Sequence, residues 1–423
     1  MNNNILEFLN DSPTAFGGIS SIVKMLTSKG YKPLGSKIEK GKKYYITRND
    51  SSIIAFNIGK KLDDPSLMIS ASHSDCPTFK LKPNPIIKTK YGVKLNVEGY
   101  GGLLYRAYFD RPLSLAGRVM VKSKDGVCSK IFKDDEPFCI IPSMAPHLAR
   151  DVEDKKPNVE KDLIPIVSLN EKYDFNQYLA SKLKTSKANI ISFDLYLYPL
   201  QKAYYWGDKN EFITSNHLDN LECAYTTLLG FIDNFNDNNI NVYACFDNEE
   251  VGSLTMQGAD SDFLYSCIQR ICDGLKIDYY DLLSKAMALS CDNAHGVHPN
   301  YIDSFDLNNT CVLNGGVVVK YNANQSYTSD SFSSSLLIEL MKANKIDYQL
   351  YSNKTGLRGG STLGNLSNRH VSLPTVDIGL AQWAMHSIIE TAGSKDIETM
   401  IKLIKCFYAS RLVNKNGCFK LSK

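Results

Sequence analysis

Short apolar runs recur along the chain, and segments with apolar residues three or four positions apart lie between them. The runs predict buried β-strands, most clearly at residues 66–70, 240–246, 287–290 and 375–379. Helical spacing is clearest at residues 221–232, where leucine, alanine and isoleucine recur on one face. The alternation of the two patterns predicts an α/β fold in which helices flank a sheet.

Helical spacing also marks both ends of the chain. Near the amino end it runs through residues 5–30 and is interrupted at Asp11-Ser12-Pro13. Ser12 is the predicted helix cap and Pro13 the first helical position of the second segment. Near the carboxyl end, a last helix is predicted through residues 394–409.

The pattern changes between residues 91 and 189. Strand-like segments at 94–97, 113–121, 127–132 and 138–141 alternate with turns and polar, lysine-rich loops. A chain of 423 residues is also too long for one compact core. We therefore expect a catalytic domain built from residues 1–88 and 191–423, with a β-rich domain inserted at residues 89–190.

Composition excludes several classes of function. A net charge of +3 gives no reason to expect nucleic acid or an anionic membrane as a partner. No run of about 18 apolar residues predicts a membrane span, and the first residues do not predict a secretory signal. Eleven cysteines without a Cys-x-x-Cys pair indicate reduced thiols and a cytoplasmic location.

Five metal-type side chains share one placement, each following an apolar segment of the α/β region: His73, Asp219, Glu250, Asp292 and His386. In such folds the ligand site lies beyond the carboxyl ends of the strands. Two imidazoles and three carboxylates suit a pair of divalent ions such as zinc. Five ligands for two ions require one carboxylate to bridge, and open positions remain for a shared water.

Two further carboxylates complete this hypothesis. Glu249 precedes Glu250 and is free to take a proton from the water. Asp75, two residues after His73, can hold the tautomer of that imidazole. Taken singly, each residue has a structural alternative: an acidic turn for the glutamates, a surface turn for His73 and a helix cap for Asp219.

The ordered motifs resemble those of the aspartyl aminopeptidase-type zinc exopeptidases, co-catalytic metallopeptidases that form self-compartmentalising oligomers. The resemblance spans essentially the whole chain and is carried chiefly by Ser72-His73-Ser74-Asp75, Leu218-Asp219-Asn220-Leu221, Asp247-Asn248-Glu249-Glu250-Val251-Gly252-Ser253, Asp292-Asn293-Ala294-His295-Gly296-Val297-His298-Pro299-Asn300 and Met385-His386-Ser387. Cys76 stands where the family usually has serine, and Asn365 stands where a proline often follows the glycine-rich turn.

The resemblance implies a division of the five ligands. Asp219 bridges the two metal ions, His73 and Asp292 complete one site, and Glu250 and His386 complete the other. It also implies that Glu249 is the general base, that Asp75 is the partner of His73, and that the peptide after Asp219 is cis.

The resemblance implies substrate contacts as well. His147 crosses from the inserted domain of a neighbouring subunit to help stabilise the tetrahedral intermediate, although the residues alone favour a structural role for it. Lys320 meets an acidic substrate side chain, with a surface lysine as the alternative. His298, Gly360 and Met385 lie at or near the substrate.

The expected protein is thus an α/β, mixed-sheet zinc-exopeptidase catalytic domain with an inserted β-rich dimerisation or lid domain. Its expected activity is a dinuclear metallo-aminopeptidase that removes unblocked, acidic N-terminal residues from peptides. Zinc is the expected metal, with cobalt or manganese as alternatives, and the expected assembly is a dodecamer built from dimers. Two other functions stay open: another co-catalytic zinc hydrolase, such as a carboxypeptidase or N-acyl deacylase, and a non-catalytic assembly protein.

Overall fold

A computed structural model describes residues 3–148, 156–234, 236–357, 359–360 and 362–422. The α-helices in these residues are, in chain order, α1 Asn3–Asp11, α2 Ala15–Ser28, α3 Phe175–Lys182, α4 Leu218–Ile232, α5 Phe263–Leu275, α6 Tyr279–Leu283, α7 Ser331–Ala343, α8 Leu363–Ser367 and α9 Asp396–Ala409. Across these described ranges, no helix combines the length and apolar character needed to cross a bilayer.

The strands of the same residues are, in chain order, β1 Lys32–Pro33, β2 Lys43–Arg48, β3 Ser52–Ile58, β4 Ser66–His73, β5 Thr78–Thr89, β6 Gly92–Tyr100, β7 Leu113–Ser123, β8 Gly126–Lys133, β9 Ile166–Ser168, β10 Ile190–Pro199, β11 Tyr204–Trp206, β12 Phe212–Ser215, β13 Asn239–Phe246, β14 Ala286–Cys291, β15 Ala294–His295, β16 Val317–Tyr321, β17 Tyr348–Ser352, β18 Thr375–Gly379, β19 Ala381–Trp383, β20 Glu390–Gly393, β21 Arg411–Lys415 and β22 Cys418–Ser422.

A nine-stranded mixed sheet forms the centre of the molecule, in the order β1-β2-β3-β13-β4-β14-β18-β16-β17. Its four middle strands, β13, β4, β14 and β18, are mutually parallel. The carboxyl ends of these four strands therefore meet at one edge of the sheet. The mixed α/β fold class predicted from the sequence is confirmed.

Helices cover both faces of this sheet, because alternate residues of each buried strand point to opposite sides. In β13, Tyr243 and Cys245 pack against a core shared with α1, α2, α4, α7 and α9. Val242, Ala244 and Phe246 pack on the other side against α5, α6 and α8. The continuous apolar run of β13 thus serves two cores at once and keeps the carboxyl edge rigid.

A second, six-stranded sheet is built from β5 to β10, in the order β8-β7-β10-β5-β6-β9, with antiparallel neighbours. It has an apolar core of its own, in which Phe79, Leu115 and Leu195 are buried. The predicted domain boundaries at residues 89 and 191 stay a prediction.

The long strand β5 is absent from the strands predicted by the apolar pattern. Its sequence carries exposed lysines and two prolines, Pro83 and Pro85, which weaken the strand signal. The structure accommodates them where the pairing register with β6 shifts between Leu81 and Ile86. Phe79 and Leu81 still alternate inward and anchor the strand in the core.

A smaller sheet has five strands, in the order β11-β12-β20-β19-β15. Several site residues directly precede or follow its strands in the sequence. β12 leads into α4, and the β19–β20 hairpin carries residues 384–389 at its turn. β20 lies between His386 and α9, in a segment for which the sequence analysis predicts no strand. In its pairing with β12, Glu390 lies opposite Ser215.

The start of α2 also differs from the prediction. Thr14 is the cap, since its side chain accepts the Gly17 N–H, and the helix begins at Ala15. Ser12 and Pro13 belong to the preceding turn.

Candidate metal centre

The five predicted ligands converge at the carboxyl edge of the four parallel strands. His73 is the last residue of β4 and lies beside Phe246 of β13, after which the chain turns into Glu249 and Glu250. Asp292 directly follows β14. Asp219 is the second residue of α4, and His386 sits in the β19–β20 turn. The Asp219–Asn220 peptide is cis, as the resemblance implies.

One group of ligand atoms surrounds His73. Its Nε2 lies 3.5 Å from Asp219 Oδ1 and 3.5 Å from Asp292 Oδ1. One ligand atom from each of these three residues lies within 4.8 Å of the other two. The side chains of His73 and Asp219 are buried, and Asp292 is nearly so.

A second group surrounds His386. Its Nε2 lies 3.5 Å from Asp219 Oδ2 and 3.4 Å from Glu250 Oε2. Asp219 thus presents one carboxylate oxygen to each group. This is the arrangement that a bridging ligand requires.

The donor set fits divalent zinc. A tetrahedron with metal–ligand bonds of about 2.0–2.2 Å has edges of about 3.3–3.6 Å, and the ligand-atom separations of 3.4–3.5 Å match this range. Asp219 Oδ1 and Glu250 Oε1 are buried without a hydrogen-bond partner among the described residues. Buried carboxylate oxygens without partners are costly unless a cation neutralises them.

The pKa shifts of the site residues also indicate that a bound positive charge would stabilise the site. Burial raises the pKa of Glu250 well above its usual value, and the charge of Asp219 raises it further. Burial lowers the pKa of His386, but the carboxylates of Asp219 and Glu250 outweigh that effect and raise it to about 10. Burial and neighbouring negative charge thus both disfavour an ionised Glu250 carboxylate, and a bound cation would oppose both effects.

Both imidazoles are oriented through Nδ1. His73 Nδ1 lies 3.0 Å from the backbone carbonyl oxygen of Asp75, nearer than the 3.4 Å to the Asp75 carboxylate. His386 Nδ1 lies 2.9 Å from the carbonyl oxygen of Gly102, which follows β6. A proton on Nδ1 donated to a carbonyl leaves Nε2 free as a metal ligand in both rings.

The carboxylate of Asp75, which lies 3.4 Å from His73 Nδ1, also has partners that were not predicted. Its Oδ1 accepts the Glu249 N–H at 3.1 Å, and its Oδ2 accepts the Glu250 N–H at 3.1 Å. Oδ2 also accepts the Tyr100 hydroxyl at 2.7 Å, and the Tyr100 oxygen accepts the Asn248 side-chain amide at 2.8 Å. Asp75 thus fixes the backbone of the glutamate pair.

Glu249 lies beside the ligand groups but farther from their centre. Its Oε2 is 4.0 Å from His73 Nε2, and its side chain is 13% exposed. Burial raises the pKa of Glu249 to about 8, with Asp292 and Asp75 adding to the effect and His73 opposing it. The side chain of Glu249 is thus more exposed than those of Asp219 and Glu250, which are each 4% exposed.

The ammonium group of Lys320 lies against Asp292 and away from open solvent. Nζ donates to the Asp292 carbonyl oxygen at 2.8 Å and to the Asn293 carbonyl oxygen at 3.2 Å, and lies 3.3 Å from Asp292 Oδ2. It also lies 5.0 Å from the centre of the Tyr327 ring. The side chain is 1% exposed.

A cavity of about 340 Å³ lies next to the β19–β20 turn. His298 and Gly360 line it, together with Trp383, which lies three residues before His386. Met385 is half-buried in the same turn. Lys320 is not part of the cavity lining.

His147 is exposed on a turn after β8. Within the part of this single chain that the structure describes, the groups able to hold a metal ion do not include His147. Its predicted role depends on a neighbouring subunit and stays a prediction.

Glu390 is a site residue that the sequence analysis missed. Its carboxylate accepts the backbone N–H of Asp219 at 2.9 Å and that of His386 at 2.7 Å. The residue is 2% exposed. The available signal was an ionisable residue directly after two isoleucines, four positions past His386.

The chain is similar to known proteins over nearly its full length. A profile of the family described as Aminopeptidase I zinc metalloprotease (M18) matches residues 8–408. A relative from Clostridium novyi (strain NT), named probable M18 family aminopeptidase 2, is 40% identical over 423 aligned residues. The alignment covers 96% of this chain and 98% of the relative.

Two solved structures share the fold. Ape4, in a cryo-EM structure of the Ape4 and Nbr1 complex, matches with a TM-score of 0.92 and 33% identity over 96% of this chain and 85% of that chain. The S. cerevisiae mApe1 dodecamer matches with a TM-score of 0.84 and 25% identity over 96% of this chain and 95% of that chain.

Proposed function

The chain belongs to the M18 family of aminopeptidase I zinc metalloproteases, and from that premise we propose that it is a dinuclear aminopeptidase that removes unblocked N-terminal residues from peptides. The observation that carries the proposal is the Asp219 carboxylate, with one oxygen 3.5 Å from His73 Nε2 and the other 3.5 Å from His386 Nε2. Such a shared carboxylate supports two ions that act on the same water.

The proposed ligands divide into two sets. His73 and Asp292 would hold one ion, Glu250 and His386 would hold the other, and Asp219 would be shared between them. The charge and donor types support zinc, and cobalt or manganese satisfy the same donors. When bound, the ions lower the pKa of a shared water and polarise the substrate carbonyl.

Glu249 is the proposed general base. Its carboxylate takes a proton from the attacking water and then gives it to the nitrogen of the leaving amine, so that one group serves as base and acid in turn. Asp75 holds the Glu249 backbone through the N–H, which limits the directions in which the side chain can point. His147 of a neighbouring subunit is proposed to stabilise the developing oxyanion.

The adjacent glutamates provide a matched test. Glu249→Gln removes the proton acceptor, and we expect turnover to fall by about 10²–10⁴-fold while two zinc ions per chain are retained. Glu250→Gln removes a proposed ligand, and we expect bound zinc to fall along with turnover. The measurements are steady-state hydrolysis of aminoacyl anilides and metal content of the purified proteins. A Glu249→Gln protein with normal turnover would rule out the proposed base.

We propose a preference for acidic N-terminal residues. The support is the lining of the cavity beside the site, which includes His295, His298 and Lys354 and, among the described residues, one carboxylate, Asp306. Because Lys320 is already paired with Asp292, these groups carry the proposal better than Lys320 does. A panel of Asp, Glu, Leu and Lys substrates, each assayed with zinc, cobalt and manganese, tests it, and a preference for lysine would contradict it.

The alternative of a carboxypeptidase or N-acyl deacylase is separated by the same assay. An aminopeptidase cleaves substrates with a free amino group and leaves N-acylated amino acids intact. A protein active only on the acylated compounds would overturn the proposal.

A dodecamer and a cytoplasmic location complete the proposal. The support for the first is the S. cerevisiae mApe1 structure, which is a dodecamer. For the second, all eleven cysteines lie in the described part of the chain and are unpaired, which fits a reducing compartment. The mass of the purified assembly tests the oligomer directly.

A further inference from the structure

We propose that Glu390 is a positioning residue that fixes the backbones of two proposed metal ligands, Asp219 and His386, with one carboxylate. The inference rests on the proposed function, because it gives Glu390 a purpose only if these two residues bind metal. Glu390 does not contact the substrate or act as a ligand in this proposal.

The geometry shows one side chain crossing between two loops. Oε2 accepts the Asp219 N–H at 2.9 Å, and Oε1 accepts the His386 N–H at 2.7 Å. Glu390 can reach both because it is the first residue of β20 and pairs with Ser215, the last residue of β12. The loop from β12 to α4 begins on one side of it and the β19–β20 turn on the other.

The two loops need such support because their backbones are strained. His217, Ala384 and His386 have φ angles of 61°, 58° and 66°, in the left-handed region that disfavours residues with a side chain. A conformation of this kind persists only where surrounding contacts hold it. The buried Glu390 side chain accepts one hydrogen bond from each of these two loops, and these bonds are contacts of that kind.

The arrangement has a direct consequence for metal binding. His386 and Asp219 form one side of the second ligand group, with Nε2 and Oδ2 3.5 Å apart. If either loop relaxes, this separation changes, and the ion loses two ligands in the same movement. We therefore expect Glu390 to control metal affinity more than substrate binding.

The test compares two buried glutamates in the full-length protein. Glu390→Gln keeps the shape of the side chain but directs an amide N–H₂ at one of the two backbone N–H groups. Glu222→Gln is the matched control, because Glu222 is also fully buried but bonds the Asn293 side chain instead of a ligand backbone. The probe is zinc alone, titrated into metal-free protein against a competing chromophoric chelator.

We expect Glu390→Gln to bind its weaker zinc ion about 10–100-fold less tightly than wild type, while Glu222→Gln binds like wild type. Excess zinc should restore kcat in Glu390→Gln with KM unchanged. General destabilisation would lower the melting temperature of both variants without separating their zinc affinities. Equal zinc affinity of Glu390→Gln and wild type would overturn the positioning role.

A second variant keeps the test decisive if Glu390→Gln does not fold. Glu390→Asp retains the carboxylate, but the shorter side chain cannot span both N–H groups, so its zinc affinity should again fall. A Glu390→Asp protein that binds zinc as tightly as wild type would overturn the proposal. The zinc titration of the wild-type protein distinguishes a failure of the proposed function from a failure of the positioning role alone. If wild type binds no zinc, the proposed function fails and the positioning role fails with it; if wild type binds two ions, only the variants decide.

Discussion

Replacing Lys320 with methionine separates two roles for this lysine. As a substrate-binding residue, Lys320 would affect only the KM of acidic substrates. As the partner of Asp292, it would affect the stability of the folded protein. The buried position and the three contacts of its ammonium group favour the second role.

The expected effect follows from burial. Removing one partner of a buried ion pair costs about 3–5 kcal/mol, because the other charge is left without compensation. The two carbonyl oxygens that accept from Nζ also lose their donor. With an unfolding entropy of about 2.1 cal/mol/K per residue, 423 residues correspond to about 0.9 kcal/mol per degree. We therefore expect the melting temperature to fall by about 3–6 °C.

The assay is thermal unfolding of chelator-treated protein, followed by circular dichroism. Lys342→Met is the matched control, because Lys342 lies 3.0 Å from Glu339 but is 57% exposed. A solvent-exposed pair contributes little to stability, so this variant should melt with wild type. Zinc should reduce the deficit of Lys320→Met, since an ion bound to Asp292 would replace the missing positive charge.

A metal-free Lys320→Met protein that melts within 1 °C of wild type would refute this reasoning. The lysine would then be available for substrate, and a large rise in KM for aspartyl and glutamyl substrates would be expected instead.

Two further substitutions test packing and charge. Gly379→Ala would put a Cβ 1.9 Å from the Asp292 carbonyl oxygen. We therefore expect the free energy of unfolding to fall by about 1–3 kcal/mol and zinc binding to weaken. The control is Gly35→Ala, whose Cβ would have no atom within 4 Å and which should behave like wild type in thermal melts and zinc titrations. Burial raises the pKa of Asp194, but bonds from Arg118 and a lysine outweigh it and hold the pKa below its usual value. A lowered folded-state pKa stabilises at neutral pH and is lost as pH falls below about 4. Asp194→Asn should therefore cost about 1 kcal/mol at pH 7, and melting curves should converge with wild type in acid; a constant difference would contradict the charge argument.

Much of the catalytic sheet could be predicted from the sequence because its strands are buried on both faces. The runs at 240–246 and 375–379 became β13 and β18 with little change in their bounds. Three of the predicted ligands, His73, Glu250 and Asp292, follow from the same logic, since residues placed just after parallel strands must gather at one edge. The local pattern of apolar residues was sufficient to predict a strand wherever consecutive residues of that strand are buried.

The remaining features depend on contacts between residues far apart in sequence. Lys320 has the sequence pattern of a lysine at a strand end. The residues next to it in the sequence do not indicate that Asp292 lies against it in the fold. Glu390 was missed because its partners are two backbone N–H groups, one 171 positions away and one four positions away. Hydrogen bonds to the backbone leave no side-chain pattern to recognise.

These long-range contacts change the view of the six-stranded sheet. Gly102, two residues after β6, orients the His386 ring through its carbonyl oxygen, and Tyr100 at the end of β6 donates a hydrogen bond to the Asp75 carboxylate that holds the glutamate pair. His386 and Glu250, which belong to the same ligand group, thus both depend on one short segment at the end of β6, in the part of the chain predicted to be an inserted domain. Any movement of that segment relative to the central sheet would reach His386 and Glu250 together. Residues 100–102 therefore connect the six-stranded sheet to two residues of one ligand group, through the Asp75 carboxylate and the His386 ring.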